Sequence, residues 1–319
     1  EITAGQINNR GRIQGEQLHF SGATLDNRAG ELLALGTGDN SLQFSLTHVD
    51  NRAGGLIESH GHNQVLNAHI DNRGGELLNL GLGTLVLSDL LNSDGTVYAA
   101  GNLQVEQADL VNENGRLEAA HNLSMAVDLL DNRAGFIFAG DNLSASGTDW
   151  NNSLGGYISA GKGFDLGISG ELDNRSGYLV GLGQDMNLHA LSIDNTLGHI
   201  AHEGEGTLLV DAVDEFNNRA GNLSGRGSLN LKAGSLFNQA EGDEQGLITA
   251  NRVSLTAAQL HNNGGHIQGD SQLLLTVPLL NNSGGKILSL GSASDALILN
   301  TDYFNNQGGL LQAYSQDLD

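Results

Sequence analysis

The chain has 319 residues, 46 of them glycine, with one proline (Pro278), 4% aromatics and no cysteine, which excludes disulfides, thiolate metal sites and cysteine nucleophiles. Its formal charge of −23, from 37 acidic against 14 basic residues, excludes nucleic acid and anionic lipid surfaces as partners. Hydrophobic residues make up 39% and come in short bursts, so the chain folds, yet no apolar run approaches the ~20 residues of a membrane helix and no membrane insertion is expected.

Taken in chain order, one asparagine recurs per unit: Asn9, Asn27, Asn51, Asn72, Asn92, Asn112, Asn132, Asn152, Asn174, Asn195, Asn218, Asn238, Asn262, Asn282 and Asn306. The mean step is roughly 21 residues, within the range of stacked solenoid repeats. Two residues before each anchor stands a large apolar residue, as at Leu25, Val49, Ile70, Trp150 and Phe216. Three residues after it stands glycine in thirteen of the fifteen units, and the other two have one nearby (Gly11, Gly242). Apolar residues then resume, for example Leu32, Leu77, Val97 and Ile137.

Within a unit the pattern alternates with period two, as in Gly115-Arg116-Leu117-Glu118-Ala119 and Leu123-Ser124-Met125-Ala126-Val127. That is the signature of strands with one face buried, and no sustained helical period competes with it. A unit this small cannot bury its apolar face alone, so copies must stack. The expected fold is all-β: a parallel β-helix (solenoid) of about fifteen turns, roughly 20–24 residues each. Residues 1–319 form a single array, and both ends fall mid-pattern, as in an internal fragment of a longer protein. Turns spaced at ~4.8 Å predict a rod about 70 Å long.

Stacking gives the anchors a mechanical role. Asparagines at the interstrand spacing can pass amide hydrogen bonds from coil to coil, which defines a structural ladder at Asn27, Asn51, Asn72, Asn92, Asn112, Asn132, Asn152, Asn174, Asn195, Asn218, Asn262 and Asn282. The glycine three places on is expected to supply the positive φ of a tight corner. A shorter ladder is expected at Asn102, Asn122 and Asn142. Seven of the eleven arginines directly follow an anchor, and Asp26, Asp50, Asp71, Asp131 and Asp173 directly precede one. Interleaved guanidinium groups would relieve repulsion between stacked carboxylates.

The phrases Leu25-Asp26-Asn27-Arg28-Ala29-Gly30, Leu130-Asp131-Asn132-Arg133-Ala134-Gly135 and Leu172-Asp173-Asn174-Arg175-Ser176-Gly177 resemble the haemagglutinin repeats of filamentous haemagglutinin-like exoproteins, among them the CdiA effectors of contact-dependent growth inhibition. The resemblance covers essentially the whole chain. It implies a right-handed parallel β-helix in a long bacterial surface protein exported by two-partner secretion. The Asn-Pro-Asn motif of that family's secretion domain is not present. Val111-Asn112-Glu113-Asn114 is a permuted lookalike of its toxin-domain junction, inside an ordinary repeat.

The expected function is therefore a non-enzymatic shaft or adhesin segment, secreted or at the bacterial cell surface. Its expected partners are an outer-membrane protein or glycan receptor on target cells, and an outer-membrane secretion partner engaged through other parts of the protein. Candidate partner loops lie in the longer units: Gly36-Thr37-Gly38-Asp39, Glu203-Gly204-Glu205, Gly242-Asp243-Glu244 and Ser292-Ala293-Ser294.

A β-helical polysaccharide-degrading enzyme is the rival class, and it needs carboxylates converging at one place. Here the acids recur once per turn. The irregular ones (Glu203, Glu205, Asp211, Asp214, Glu215, Glu241, Asp243, Glu244) read as solvated loops, with partner contact or weak Ca²⁺ binding as alternatives. A pure spacer is the third reading. The nearest histidine clusters, His60-Gly61-His62 with His69 and His199 with His202, match no zinc spacing and read as exposed; His48 and His69 fall where they can stack. No catalytic residue, metal or cofactor is expected.

Overall fold

The computed structural model describes residues 1–314, which form short strands, turns and corners. The chain divides into two compact units, Glu1–Trp150 with Gly156–Ala160, and Asn151–Gly155 with the chain from Gly161 onward. Each unit is a parallel β-solenoid, and together they hold about fifteen turns of about 21 residues.

One coil of the first unit shows the plan. After Asn92 comes the turn Ser93-Asp94-Gly95, then the strand Thr96–Ala99, a corner at Ala100-Gly101, and the long strand Asn102–Val111 leading to Asn112. Thr96–Ala99 pairs in parallel with Glu76–Asn79 on one side and Arg116–Ala119 on the other. Alternation decides which side chains go inside: Val97 and Ala99 are buried, while Thr96 and Tyr98 keep part of their surface in solvent.

Register then builds columns. Leu77, Val97, Leu117, Ile137 and Ile158 stack directly, all buried, and beside them run Ala99, Ala119, Ala139 and Ala160. The second unit repeats this with Leu179, Ile200, Leu223, Ile248, Ile267 and Ile287. Branched and γ-branched aliphatics suit such columns because like shapes nest at the interstrand spacing.

His202 departs from the expectation that the histidines are exposed. It is 2% exposed and sits in the narrow column of the second unit, where its coil neighbours are Gly181 and Gly225. The ring lies over Gly181, where an added Cβ would come within 3.1 Å of His202 Cδ2. Neither ring nitrogen has a hydrogen-bond partner.

Candidate functional site

The asparagine corner is the most regular polar feature. In the first unit Nδ2 of each anchor donates to Oδ1 of the next, from Asn9 through Asn27, Asn51, Asn72, Asn92 and Asn112 to Asn132, at 2.7–2.8 Å. The second unit carries the same ladder from Asn152 through Asn174, Asn195, Asn218, Asn238, Asn262 and Asn282 to Asn306, at 2.6–2.8 Å. Every anchor from Asn27 to Asn282 is fully buried. The second Nδ2 hydrogen lies toward backbone carbonyls, for Asn72 those of Gly75 (3.3 Å) and Thr96 (3.0 Å). Backbone groups close as well: Asn27 N–H donates to Asp50 O at 2.7 Å, and Gly30 N–H to Asn27 O at 2.9 Å. Asparagine suits this slot because its short side chain offers an acceptor to one coil and two donor hydrogens to the next coil and its backbone.

The glycine three places after the anchor supplies positive φ, as expected, at Gly54 (77°) and Gly155 (86°), but in most coils it has a different task. Positive φ falls one residue earlier, at Ala29, Ala53, Asp94, Asn114 and Ala134 in the first unit and Leu154, Ser176, Leu197 and Ala220 in the second, with φ of 51–55°. The glycine itself is required for space. A Cβ on Gly75, Gly95, Gly115 or Gly135 would lie 2.0–2.3 Å from the backbone oxygen of the preceding coil's asparagine. Where the corner holds one more residue, the tasks shift: Gly54 has φ 77° and Gly55 takes the packing position. After Asn238 the packing glycine is Gly246, not Gly242, because an excursion is inserted between them.

Beside this corner runs the charge ladder. Asp26 is gripped by Arg10 (2.6 Å) and Arg28 (2.6 Å), Arg28 reaches Asp50 (3.4 Å), Arg52 joins Asp50 (2.7 Å) to Asp71 (3.4 Å), and Arg73 completes Asp71 (2.6 Å). Arg28 and then Arg10 hold the Asp26 carboxyl far below the usual range, and Arg52 lowers Asp50. Burial pushes Asp71 upward, but its bonds from Arg73 prevail and the net direction is down. Carboxylates held ionised in this way cannot serve as proton donors at neutral pH.

The sign of the pH dependence follows. A carboxyl whose folded pKa is depressed contributes stability above its unfolded value of about 4, and loses it as pH falls through the folded value. The arginines are 40–49% exposed, so solvent screening keeps the contribution of each pair small. The melting midpoint is expected to fall from about pH 5 downward, and the triple substitution Asp26→Asn, Asp50→Asn, Asp71→Asn to flatten that acid limb. An unchanged limb in scanning calorimetry would place its origin elsewhere.

Two further expectations are met. Asn142 donates to Asn122 (2.8 Å) and Asn122 to Asn102 (2.9 Å), an exposed ladder running opposite to the buried one. His48 and His69 stack at 5.0 Å, with His69 Nδ1 2.7 Å from Asp89.

The four candidate loops divide. Thr37–Asp39 is exposed, and Asp39 Oδ1 accepts from Asn63 N–H (3.1 Å) and Nδ2–H (3.0 Å). Residues 241–245, including Asp243 and Glu244, form an exposed excursion closed by an antiparallel bridge between Glu241 and Glu244. Ser292 begins an exposed excursion through Asp295. Glu203-Gly204-Glu205 is instead a flush corner: a Cβ on Gly204 would lie 1.8 Å from Gly183 O, and Glu203 pairs with Arg226 at 3.4 Å. Its unit absorbs extra length partly by a bulge between Ala212 and Glu215, which leaves Val213 57% exposed.

Among the described residues no group of three or more histidine, aspartate or glutamate side chains is arranged to hold a metal ion.

Residues 1–124, 119–246 and 243–317 each match the family described as the haemagglutinin repeat. No curated protein and no solved structure matches the chain.

Proposed function

The chain belongs to the haemagglutinin-repeat family of filamentous haemagglutinin-like proteins, and from that premise we propose that it is a non-enzymatic shaft and adhesin segment of a secreted bacterial surface protein. Two-partner secretion carries it out, and its excursions meet a receptor, a protein or a glycan, on a target cell. Contact-dependent growth inhibition is one setting for such a segment.

The observation that supports this reading most is the closure of each coil on the next. Asparagine amides, backbone groups and Arg–Asp pairs are spent between coils, so the scaffold contributes reach and stiffness. Exposed loops that depart from that regularity include Thr37–Asp39, residues 241–245 and Ser292–Asp295. Loops that a stacked core does not require are where partner contact belongs on a repetitive scaffold. The net charge of −23 discourages edge-to-edge association of a long β-structure.

The test is binding of the labelled chain to intact Gram-negative cells. Saturable binding, displaced by unlabelled chain, is expected, and it should disappear when the three excursions are shortened to regular corners. Binding that survives their replacement would defeat the assignment of contact to these loops. Absence of saturable binding would leave a spacer, in which deletion of two or three whole coils leaves the activity of the full-length protein intact.

A further inference from the structure

On the first unit, the corners of three successive coils form a cleft of about 300 Å³ lined by Thr37, His60, His62, Leu80, Gly81 and Leu82. The sequence explains its shape. The coil after Asn27 carries the inserted residues Thr37–Asp39, which stand out from the stack, while the two following coils turn tightly at Gly61 and Gly81. A Cβ on Gly81 would lie 1.9 Å from Gly61 O, so backbone lies directly on backbone there. The overhang is fixed in place: Asn63 holds Asp39 from both its amides, Asn40 N–H donates to Asn63 O at 2.7 Å, and Gly36 N–H to Glu16 O at 2.8 Å.

The lining is mixed in a way that selects a ligand. Leu82 is 68% exposed and Leu80 39%, so an apolar surface is offered that the core does not use. Beside it stand two imidazoles and a hydroxyl, groups that both donate and accept. No arginine or lysine lines the cleft, His60 Nε2 is 2.7 Å from Glu58, and the chain carries −23 overall, so an anionic ligand has nothing to neutralise it. A purely apolar ligand would strip water from the imidazoles and Thr37 without replacing it.

We propose that this cleft binds a neutral sugar residue, with a C–H face on Leu80 and Leu82 and hydroxyls on His60, His62 and Thr37. The site rests on the receptor-contact reading of the Thr37–Asp39 excursion and names the ligand class, but its test is made on the chain alone, without cells.

The experiment titrates the whole chain, by calorimetry and imidazole NMR, with neutral oligosaccharides (gluco-, galacto- and N-acetylglucosamine series) and with sialylated and uronate-containing counterparts. At least one neutral series is expected to bind, with His62→Ala and Leu82→Ser each weakening it at least tenfold. Leu129→Ser, at an exposed leucine outside the lining, should leave it unchanged. Both cleft substitutions are at exposed positions, and circular dichroism verifies folding of each. Preference for the anionic sugars, indifference to both substitutions, or no binding by any neutral series would overturn the proposal, whatever the outcome of the cell-binding assay.

Discussion

Replacing Gly75 by alanine is expected to cost about 3 kcal/mol or more, while the same change at its neighbour Gly74 should cost only about 1 kcal/mol. The two glycines look interchangeable in sequence and do different things. Gly74 has φ 65°, and an added Cβ there would meet nothing closer than 4.0 Å. Alanine already holds that conformation at Ala53 and Ala134, so the cost is local backbone strain alone. A Cβ on Gly75 would lie 2.0 Å from Asn51 O and 2.9 Å from both Asn51 Nδ2 and Asn72 Oδ1. Relief would require the coils to part at the buried ladder itself. Urea unfolding measures the difference, and amide exchange in the flanking strand Glu76–Asn79 localises it, since a repeat array can open by parts. Equal, small losses at both positions would show that the coils are not packed backbone against side chain at this corner.

This pair also marks what could be read from the chain before its fold. The repeat, the strand alternation and the asparagine ladder were legible because each is a spacing, and stacking turns equal spacing into direct contact. Asn112 and Asn132 are 20 residues apart and one hydrogen bond apart, at 2.7 Å. The same logic reached Arg28 between Asp26 and Asp50. The task of the glycine was not legible, because absence of a side chain looks the same whether φ or volume demands it. The one signal available was the residue before it: Asp94 and Asn114 tolerate left-handed backbone and glycine at Gly74, Gly264, Gly284 and Gly308 is its ideal occupant, whereas the alanines, Ser176, Leu154 and Leu197 at the same place give no such sign.

Insertions were legible in number but not in place. The step from Asn195 to Asn218 is long, and the acidic run Glu203-Gly204-Glu205 drew the extra length to itself. One extra residue is taken up at that corner and one by the bulge before Glu215, because a strand exposed on one face accepts a bulge where a corner packed on Gly183 cannot accept a loop. His202 was misplaced for a related reason: its ring lies over Gly181, one coil away and over twenty residues distant in sequence. The cleft was hidden too, since Thr37, His62 and Leu82 meet only once three corners are superposed.

The second large effect is expected at Asn112. Asn112→Ala deprives Asn92 Nδ2 of its acceptor and Asn132 Oδ1 of its donor, at a cost of about 1–3 kcal/mol. Asn112→Asp should cost more at pH 7, about 3–5 kcal/mol, although it is nearly isosteric. An ionised carboxylate still accepts from Asn92, but it turns a second negative oxygen toward Asn132 Oδ1 inside a fully buried stack. Burial and that repulsion both favour the protonated acid, whose O–H can donate where Nδ2 did. The folded pKa of the introduced group is therefore raised above its unfolded value of about 4. Its contribution is present in full below that value and is lost as pH rises. The Asp26–Arg28 ladder has the opposite sign, so wild type weakens on acidification while Asn112→Asp recovers part of its deficit. The gap between their melting midpoints should narrow from pH 7 to pH 4. A gap of the same size at both pH values would mean that position 112 is open to solvent and the asparagines stack without bearing on one another.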